Sequence, residues 1–282
     1  MTEFVIKAPA KINLTLEVLG KRPDGFHEIR SVIQTVSLFD ILRFSESNAL
    51  EISGTSSDFA ADKSLISKAV SLVKEISGYC GGVKIIVEKH IPLFSGLGGD
   101  SSDAAAVLQG LNRLWDLRWE TPRLSEIAAR LGSDVGFFLT GGTAVMAGRG
   151  EQITPLKLLP RHDVVIVNPA LPRQPGKTAL AYASLQTANY TDGSFTRQFI
   201  NQLYSGQLTP SSLFNTFESV FFNRGSELAA FRDRLLKLGA PNVHLAGSGP
   251  ALFSILADKI QAEALYARTS NTDMDVYLAE TC

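Results

Sequence analysis

The sequence has few of the features that mark exported or membrane-bound proteins. It contains two cysteines, Cys80 and Cys282, among 282 residues. These could form one bridge, but they make neither a disulfide framework nor a metal-type spacing. No apolar run approaches the roughly 20 residues that a membrane span requires. The first residues, MTEFVIKAPAKINL, lack the apolar stretch of a signal peptide and the arginine-rich character of a transit peptide. We therefore expect a cytoplasmic protein with no membrane association.

An excess of positive charge is also absent. The chain has 27 lysines and arginines against 28 aspartates and glutamates, which argues against a non-specific nucleic-acid binder because such a protein needs a basic face. The composition is that of a soluble globular protein, and the length suits one large or two medium domains. No obligate protein partner is evident.

The most informative stretch, Ile91–Leu114, is a glycine-rich turn followed by a helical pattern. A β-branched run at Val83–Val87 predicts a strand before it, and Pro92 ends that strand. From Asp103 onwards the apolar residues fall on one helical face, namely Ala104, Val107, Leu108, Leu111 and Leu114. Ser101 or Ser102 is the expected N-cap. Free N–H groups and the helix dipole would favour a phosphate at this loop.

A glycine-rich loop before a helix has three other common interpretations. A glycine-rich turn before a helix can be only a turn. A Walker loop needs Lys followed by Ser or Thr where Asp100-Ser101 stands. A dinucleotide fingerprint needs a third glycine where Ser101 stands. The loop thus suggests a phosphate site of neither common class.

The segment P-x-x-x-G-L-G-G-x-S-S-D-A-A, from Pro92 to Ala105, resembles the phosphate loop of the GHMP kinases, which phosphorylate small molecules without a Walker lysine. The resemblance implies ATP as co-substrate and Mg²⁺ bridging the phosphate oxygens, with Ser101 or Ser102 as a metal ligand. Asp100 stands where many members have glycine, so we expect a negative φ and a side chain directed away from the phosphates. The implied ATP-binding residues are Pro92, Leu93, Phe94, Ser95, Gly96, Leu97, Gly98, Gly99, Asp100, Ser101 and Ser102.

The family implies an α+β fold of two domains. These are a ribosomal-protein-S5-like N-terminal domain at residues 1–157 and a ferredoxin-like C-terminal domain at residues 158–282. Local patterns predict breaks in the first strands. Phe4–Ile6 and Ile12–Val18 are predicted as two separate strands, and so are Glu28–Val36 and Asp40–Phe44, with a break near Ser37. Helices are predicted at Asp62–Ser77, Pro122–Leu131, Lys177–Leu185, Glu227–Leu238 and Ile260–Arg268. Gly132 is expected to end the second of these, and Ser226 is the expected N-cap of the fourth.

Two segments near the N-terminus narrow the resemblance. P-A-K-I-N-L and R-P-D-G-F-H-E-I are similar to the GHMP kinase branch whose substrate carries a cytidine diphosphate group on methylerythritol, in the non-mevalonate isoprenoid pathway. The resemblance implies that Lys11 stabilises the transferring phosphoryl group and keeps the catalytic carboxylate ionised, and that Asn13 binds the polyol. It also implies that Phe26 (the usual residue is Tyr) and His27 contact the cytosine. Taken alone, Lys11 is a surface lysine, and Phe26 and His27 are packing and surface residues.

The segment Gly132–Leu139 resembles the family's G-[SA]-D-V-x-F-F-L motif. That resemblance makes Asp134 the general base. From the residues alone Asp134 is an N-cap, and both interpretations can hold together.

The second half of the chain carries the weaker signals. By resemblance, Thr178 contacts the substrate, Tyr182 stacks on the cytosine with Phe26, and Gly247-Ser248-Gly249 is a third motif near the phosphates. The three glycine-motif residues could equally form a hairpin turn. The alternative functions are a homoserine or mevalonate type of GHMP kinase, or a ligand-binding relative without activity, which should have lost Lys11 or Asp134.

Overall fold

The computed structural model describes residues 3–55, 64–172, 176–270, 272 and 274–282. Its contacts divide the chain into two compact units. Unit 1 consists of Met1–Ala10, Phe39–Leu93 and Gly98–Gly141. Unit 2 consists of Lys11–Leu38, Phe94–Leu97 and Gly142–Cys282. The predicted domain boundary at 157/158 stays a prediction, since these units follow contacts and not the family's domain definition.

The first two strands are long and unbroken. Strands β1 (Glu3–Lys21) and β2 (His27–Ser45) each contain 19 residues. The predicted breaks at Ala8-Pro9-Ala10 and near Ser37 were therefore wrong. A proline removes only one donor and is compatible with a strand wherever the ladder does not use its N–H. Strand β2 also continues through Ser37, whose Oγ accepts a hydrogen bond from the Glu280 amide at 2.9 Å.

Unit 1 combines strands of the seven-stranded sheet with three helices. The last part of β2 pairs antiparallel with β4 (Val83–Glu88), which pairs parallel with β3 (Leu50–Gly54). The helices are α1 (Leu65–Ser77), α2 (Gly99–Leu114) and α3 (Thr121–Leu131). Helix α1 begins after Ser64, which caps it; the predicted start at Asp62 lies outside the described residues. Apolar side chains from sheet and helices form the core, including Leu42, Phe44, Ile66, Ile85 and Leu111.

Helix α2 begins earlier than its apolar pattern indicated. The cap is Gly98, with φ 77°, and no side chain caps the helix. The prediction of Ser101 or Ser102 as N-cap was therefore wrong. Gly98 is the residue type that adopts this left-handed conformation without steric cost, so the first turn could start within the glycine run.

Unit 2 contains two sheets. In the first, β1 lies between β2 and β8 (Phe214–Asn215), and β2 also pairs with β5 (Thr143–Gly148), which pairs with β6 (Gln152–Pro155). The second sheet is antiparallel, in the order β11-β7-β10-β9. Its strands are β7 (Asp163–Asn168), β9 (His244–Leu245), β10 (Leu252–Leu256) and β11 (Asp275–Glu280). If the four strands of this sheet are numbered 1 to 4 along the chain, their order is 4-1-3-2. This is the predicted ferredoxin-like arrangement. The α+β class is confirmed.

The helices of unit 2 are α4 (Lys177–Ala183), α5 (Ser194–Ser205), α6 (Glu218–Phe221), α7 (Glu227–Lys237) and α8 (Lys259–Ser270). Ser226 caps α7 as predicted, since its Oγ accepts from the Ala229 amide at 3.0 Å. Within the described ranges, no helix has both the length and the apolar character that a membrane crossing demands.

Candidate active site

Lys11 lies in β1 and is held on both its backbone and its side chain. Its amide donates to the Leu97 carbonyl at 2.9 Å, and its Nζ donates to Asn13 Oδ1 at 2.7 Å. Asn13 in turn donates to Ser31 Oγ at 2.8 Å. Residues two apart in a strand share a face, which is why β1 presents the amine and the amide together. Both side chains are buried, so the solvated-surface interpretation of Lys11 was wrong.

The glycine motifs of unit 2 meet with no room for side chains. A Cβ added at Gly96 would lie 2.1 Å from the Ala246 carbonyl oxygen and 3.1 Å from the Gly249 amide nitrogen. A Cβ at Gly247 would lie 3.1 Å from Lys11 Nζ. The third motif forms the hairpin connection between β9 and β10, as the alternative interpretation predicted. It also packs against Lys11 and against the first part of the glycine loop.

Phe94 is unusual among the loop residues. It has φ 58° and is 53% exposed, whereas bulky side chains rarely adopt positive φ. The next residue, Ser95, is buried, and its carbonyl accepts from the Ala251 amide at 3.0 Å. This bond fixes the loop segment of unit 2 beside the third motif.

In unit 1 the first turn of α2 lies within the glycine loop, directly after Gly98. An α-helix leaves its first N–H groups without intrahelical partners, and here these belong to Gly99, Asp100 and Ser101. Asp100 has no positive φ and its side chain is 54% exposed. Ser102 is buried, and its Oγ has no hydrogen-bond partner in the described structure.

Lys89, which the sequence analysis did not single out, has three carboxylates around its ammonium group. We call these four residues the Lys89 cluster. Lys89 Nζ lies 2.5 Å from Asp40 Oδ2, 2.7 Å from Asp103 Oδ2 and 3.9 Å from Asp100 Oδ1. Sequence spacing offers no direct signal for this cluster, because its members come from three separate elements.

Asp134 lies between α3 and a short 3-10 turn at Phe137–Leu139. It is half-buried and is flanked by the buried side chains of Val135 and Phe137. The turn is tied to α2, because Gln109 Nε2 donates to the Leu139 carbonyl at 3.0 Å. The residue at the N-cap position of this turn is Gly136, so Asp134 does not stand at that position.

The predicted base-binding residues lie in unit 2. His27 stacks on Tyr182 with ring centroids 5.0 Å apart, and its Nε2 lies 3.4 Å from the hydroxyl of Tyr190, a residue that the sequence analysis missed. Burial, with a smaller effect of nearby Lys21, lowers the pKa of His27. Phe26 is 54% exposed, and the Arg149 guanidinium lies 4.8 Å from its ring centroid. Phe26 is therefore an exposed aromatic and not a core residue.

The start of α4 is linked to the third motif. Thr178 Oγ1 lies 3.1 Å from Ser248 Oγ. Thr178, the predicted substrate contact, therefore lies beside the third motif. The preceding residue, Lys177, is half-buried, and this burial lowers its pKa to about 8.

We predict a pH-dependent contribution of Lys177 to stability. Between pH 8 and 10.5 the unfolded chain binds a proton that the folded chain has released, so the free energy of unfolding rises with pH through this window. Subtracting the stability of Lys177→Met from that of the wild type, by urea unfolding at several pH values, should reveal this rise. The exposed Lys237→Met serves as control and should show no comparable trend. A pH-independent difference for Lys177→Met would contradict the prediction.

Comparison with known proteins places this geometry in context. The family model for the GHMP kinases N terminal domain matches residues 64–142. A 4-diphosphocytidyl-2-C-methyl-D-erythritol kinase of Dehalococcoides mccartyi (strain CBDB1) is 48% identical over 99% of this chain and 98% of its own length. One of Caldicellulosiruptor saccharolyticus is 37% identical over 99% and 97% of the two chains.

Solved structures agree with these relatives. A crystal structure of 4-(cytidine 5'-diphospho)-2C-methyl-D-erythritol kinase superposes with a TM-score of 0.84 at 32% identity, covering 99% of this chain and all of the other. A homoserine kinase from Cytophaga hutchinsonii has a TM-score of 0.74 at 16% identity, covering 100% and 95% of the two chains. The second likeness reflects the shared fold alone.

Proposed function

The chain belongs to the 4-diphosphocytidyl-2-C-methyl-D-erythritol kinases, a family of GHMP kinases, and on that premise we propose that it transfers the γ-phosphoryl group of ATP to the 2-hydroxyl of 4-diphosphocytidyl-2-C-methyl-D-erythritol. In this reaction the hydroxyl oxygen forms a bond to phosphorus, the bond to the β-phosphate oxygen breaks, and the hydroxyl proton passes to a base. The observation that carries the proposal is the packing of Gly96, Gly247 and Lys11, three motif residues far apart in sequence.

Lys11 would stabilise charge on the transferring phosphoryl group. Phosphoryl transfer depends mainly on positioning and on charge stabilisation, and a buried ammonium fixed by Asn13 provides both. Asn13 uses its amide to hold Lys11 and Ser31, so we assign it to orienting Lys11 as well as to binding the polyol.

Asp134 would accept the proton of the 2-hydroxyl as general base. The short turn that follows it, Phe137–Leu139, is anchored by buried aromatic residues and by Gln109. This anchoring restrains the segment that carries the carboxylate, which favours the role.

The ATP phosphates would bind the glycine loop, Pro92–Ser102, and the third motif, Gly247-Ser248-Gly249. Mg²⁺ prefers oxygen ligands and keeps few protein ligands when it is bound with phosphates. The unpartnered buried Ser102 Oγ fits such a ligand, and we assign Ser102 in preference to Ser101. Among the described residues there is no group of three or more His, Cys, Asp or Glu suited to a metal. When bound, Mg²⁺ would supply charge neutralisation at the phosphates.

The cytidine group would be bound by Phe26, His27 and Tyr182, with Thr178 as a further substrate contact. The lowered pKa of His27 favours a neutral imidazole, which can both donate and accept a hydrogen bond. The stack of His27 on Tyr182 holds the imidazole in place. Phe26 is exposed, and the base would stack on its ring beside the Arg149 guanidinium.

Phe26→Ala should reduce kcat/KM for the cytidine substrate. The loss should correspond to about 1–3 kcal/mol of binding free energy, as for base–aromatic stacking in nucleic-acid complexes. Phe26→Tyr should be nearly silent, because stacking uses only the ring face, and His27→Ala should reduce discrimination against the uridine form. Steady-state kinetics and melting temperature are measured on the same preparations, with exposed Tyr204→Ala as control. A loss of stability with unchanged kcat/KM would rule out the stacking role.

One assay separates this function from its alternatives. ATP consumption is measured with the cytidine diphosphate substrate, with homoserine and with mevalonate. Phosphorylation of the cytidine substrate alone supports the proposal, and preference for a substrate without a nucleotide would favour another GHMP kinase activity. Absence of turnover with all three would favour a non-catalytic relative, although Lys11 and Asp134 are both present.

A further inference from the structure

The Lys89 cluster joins the backbone before the glycine loop to the helix after it. Asp40 Oδ1 accepts from the amides of His90 and Ile91 at 2.6 and 2.8 Å. Its Oδ2 accepts from Lys89, which also donates to Asp103 of α2. Asp40 is therefore bonded directly to the segment entering the loop, and Lys89 extends this connection to the first turns of α2.

The same contacts fix the backbone of Gly99. A Cβ at this glycine would lie 3.1 Å from Ile91 Cγ2 and 3.4 Å from Asp40 Oδ2. The Cα of Gly99, at the start of α2, thus lies close to Ile91 and to Asp40 of the cluster. A small displacement of Lys89 or Asp40 would be transmitted to the amides that are proposed to bind phosphate.

Stability alone does not explain why these charges are buried. The Lys89 side chain is 6% exposed and those of Asp40 and Asp103 are 0% and 2% exposed. Removing such ions from water costs several kcal/mol each, and apolar replacements are often as stable. Asp103 is the less well compensated carboxylate, because its Oδ1 has no hydrogen-bond partner in the described structure. Burial raises the pKa of Asp103, and the Lys89 ammonium opposes this shift. In some proteins such a buried ion group specifies a unique arrangement.

We propose that Lys89 is a positioning residue for the nucleotide: by binding Asp40 and Asp103 together it holds the first turn of α2 in the orientation that binds the ATP phosphates. The inference rests on the proposed function of the loop. Lys89 does not touch the phosphates, since its ammonium is buried among carboxylates. Asp100, exposed and 3.9 Å away, is a peripheral member of the cluster.

The test compares Lys89→Met and Asp103→Asn with two controls, Lys84→Met and Asp116→Asn. Lys84 is an exposed lysine on β4, and Asp116 is an exposed carboxylate of unit 1 outside the glycine loop and the cluster. Asp103→Asn keeps the shape of the side chain and an oxygen that can accept from Lys89, so it keeps the inference testable if Lys89→Met fails to fold. For each folded variant we would measure melting temperature, the dissociation constant for ATP, and KM for the cytidine substrate.

We expect the dissociation constant for ATP to rise by about 10- to 100-fold in Lys89→Met and less in Asp103→Asn, because small misplacements of binding groups cost such factors. KM for the cytidine substrate should change by less than about 2-fold, and both controls should bind ATP like the wild type. A lower melting temperature with unchanged ATP affinity overturns the inference, as does equal weakening for both substrates. Wild-type turnover is judged separately: a wild type inactive on the cytidine substrate refutes the proposed function, whereas an active wild type with unaffected variants refutes only the role of Lys89.

Discussion

Asp134→Asn should lower kcat by roughly 100-fold or more, the usual contribution of a positioned general base. The amide keeps the size and shape of the carboxylate but cannot accept the hydroxyl proton at neutral pH. Binding of ATP and of the cytidine substrate should stay within about 2-fold, because the proposed role begins only when the hydroxyl attacks phosphorus. Rapid-mix single-turnover kinetics would locate the loss in the chemical step.

The surroundings of Asp134 should allow a loss of catalysis to be distinguished from a loss of stability. The residue is half-buried, while neighbouring Val135, Phe137 and Phe138 carry the apolar packing of the segment. The melting temperature should therefore change little. Asp116→Asn is a suitable control, because Asp116 is an exposed residue of unit 1 paired with Arg118. A kcat of Asp134→Asn close to that of the wild type would exclude Asp134 as the base.

Short-range patterns predicted the elements whose ends depend on local chemistry. Ser226 caps α7 because a serine side chain can bond the free amide three residues on. Gly132 ends α3, as predicted, and its amide donates to the Ala128 carbonyl at 3.2 Å. The order of the ferredoxin-like sheet came from the family resemblance, since strand order depends on contacts between distant segments.

Sequence patterns were less informative where tertiary contacts or backbone conformation determine the bounds of an element or the partners of a side chain. Pro9 indicates a break by propensity, yet β1 continues through it. Helix α2 starts at Gly99 because Gly98 can adopt a left-handed conformation, which no apolar periodicity records. Lys89 could not be recognised from its neighbours, because its partners Asp40 and Asp103 are distant in sequence. A lysine at the end of an apolar strand was the one available signal.

The other large effect is expected at Gly96, where the backbone leaves no space for a side chain. Its φ is +86°, and an added Cβ would lie 2.1 Å from the Ala246 carbonyl oxygen, a backbone atom that cannot rotate away. Gly96→Ala must therefore displace either the glycine loop or the third motif. Because both are proposed to contact the phosphates, ATP affinity should fall by roughly 100-fold, the effect expected when binding groups shift by about 1 Å.

A matched glycine separates this displacement from backbone strain. Gly206 has φ +72°, and a Cβ there would meet nothing within 4 Å. Gly206→Ala should thus cost only the left-handed conformation, about 1–2 kcal/mol of stability, with no change in ATP affinity. Gly96→Ala should show a similar strain, a further loss of stability from the steric overlap, and the loss of ATP binding. Titration calorimetry with ATP, at a temperature where circular dichroism shows both variants folded, measures the difference. If folded Gly96→Ala bound ATP as tightly as the wild type, the loop would not bind the phosphates, and the packing of Gly96 against Ala246 would be structural only.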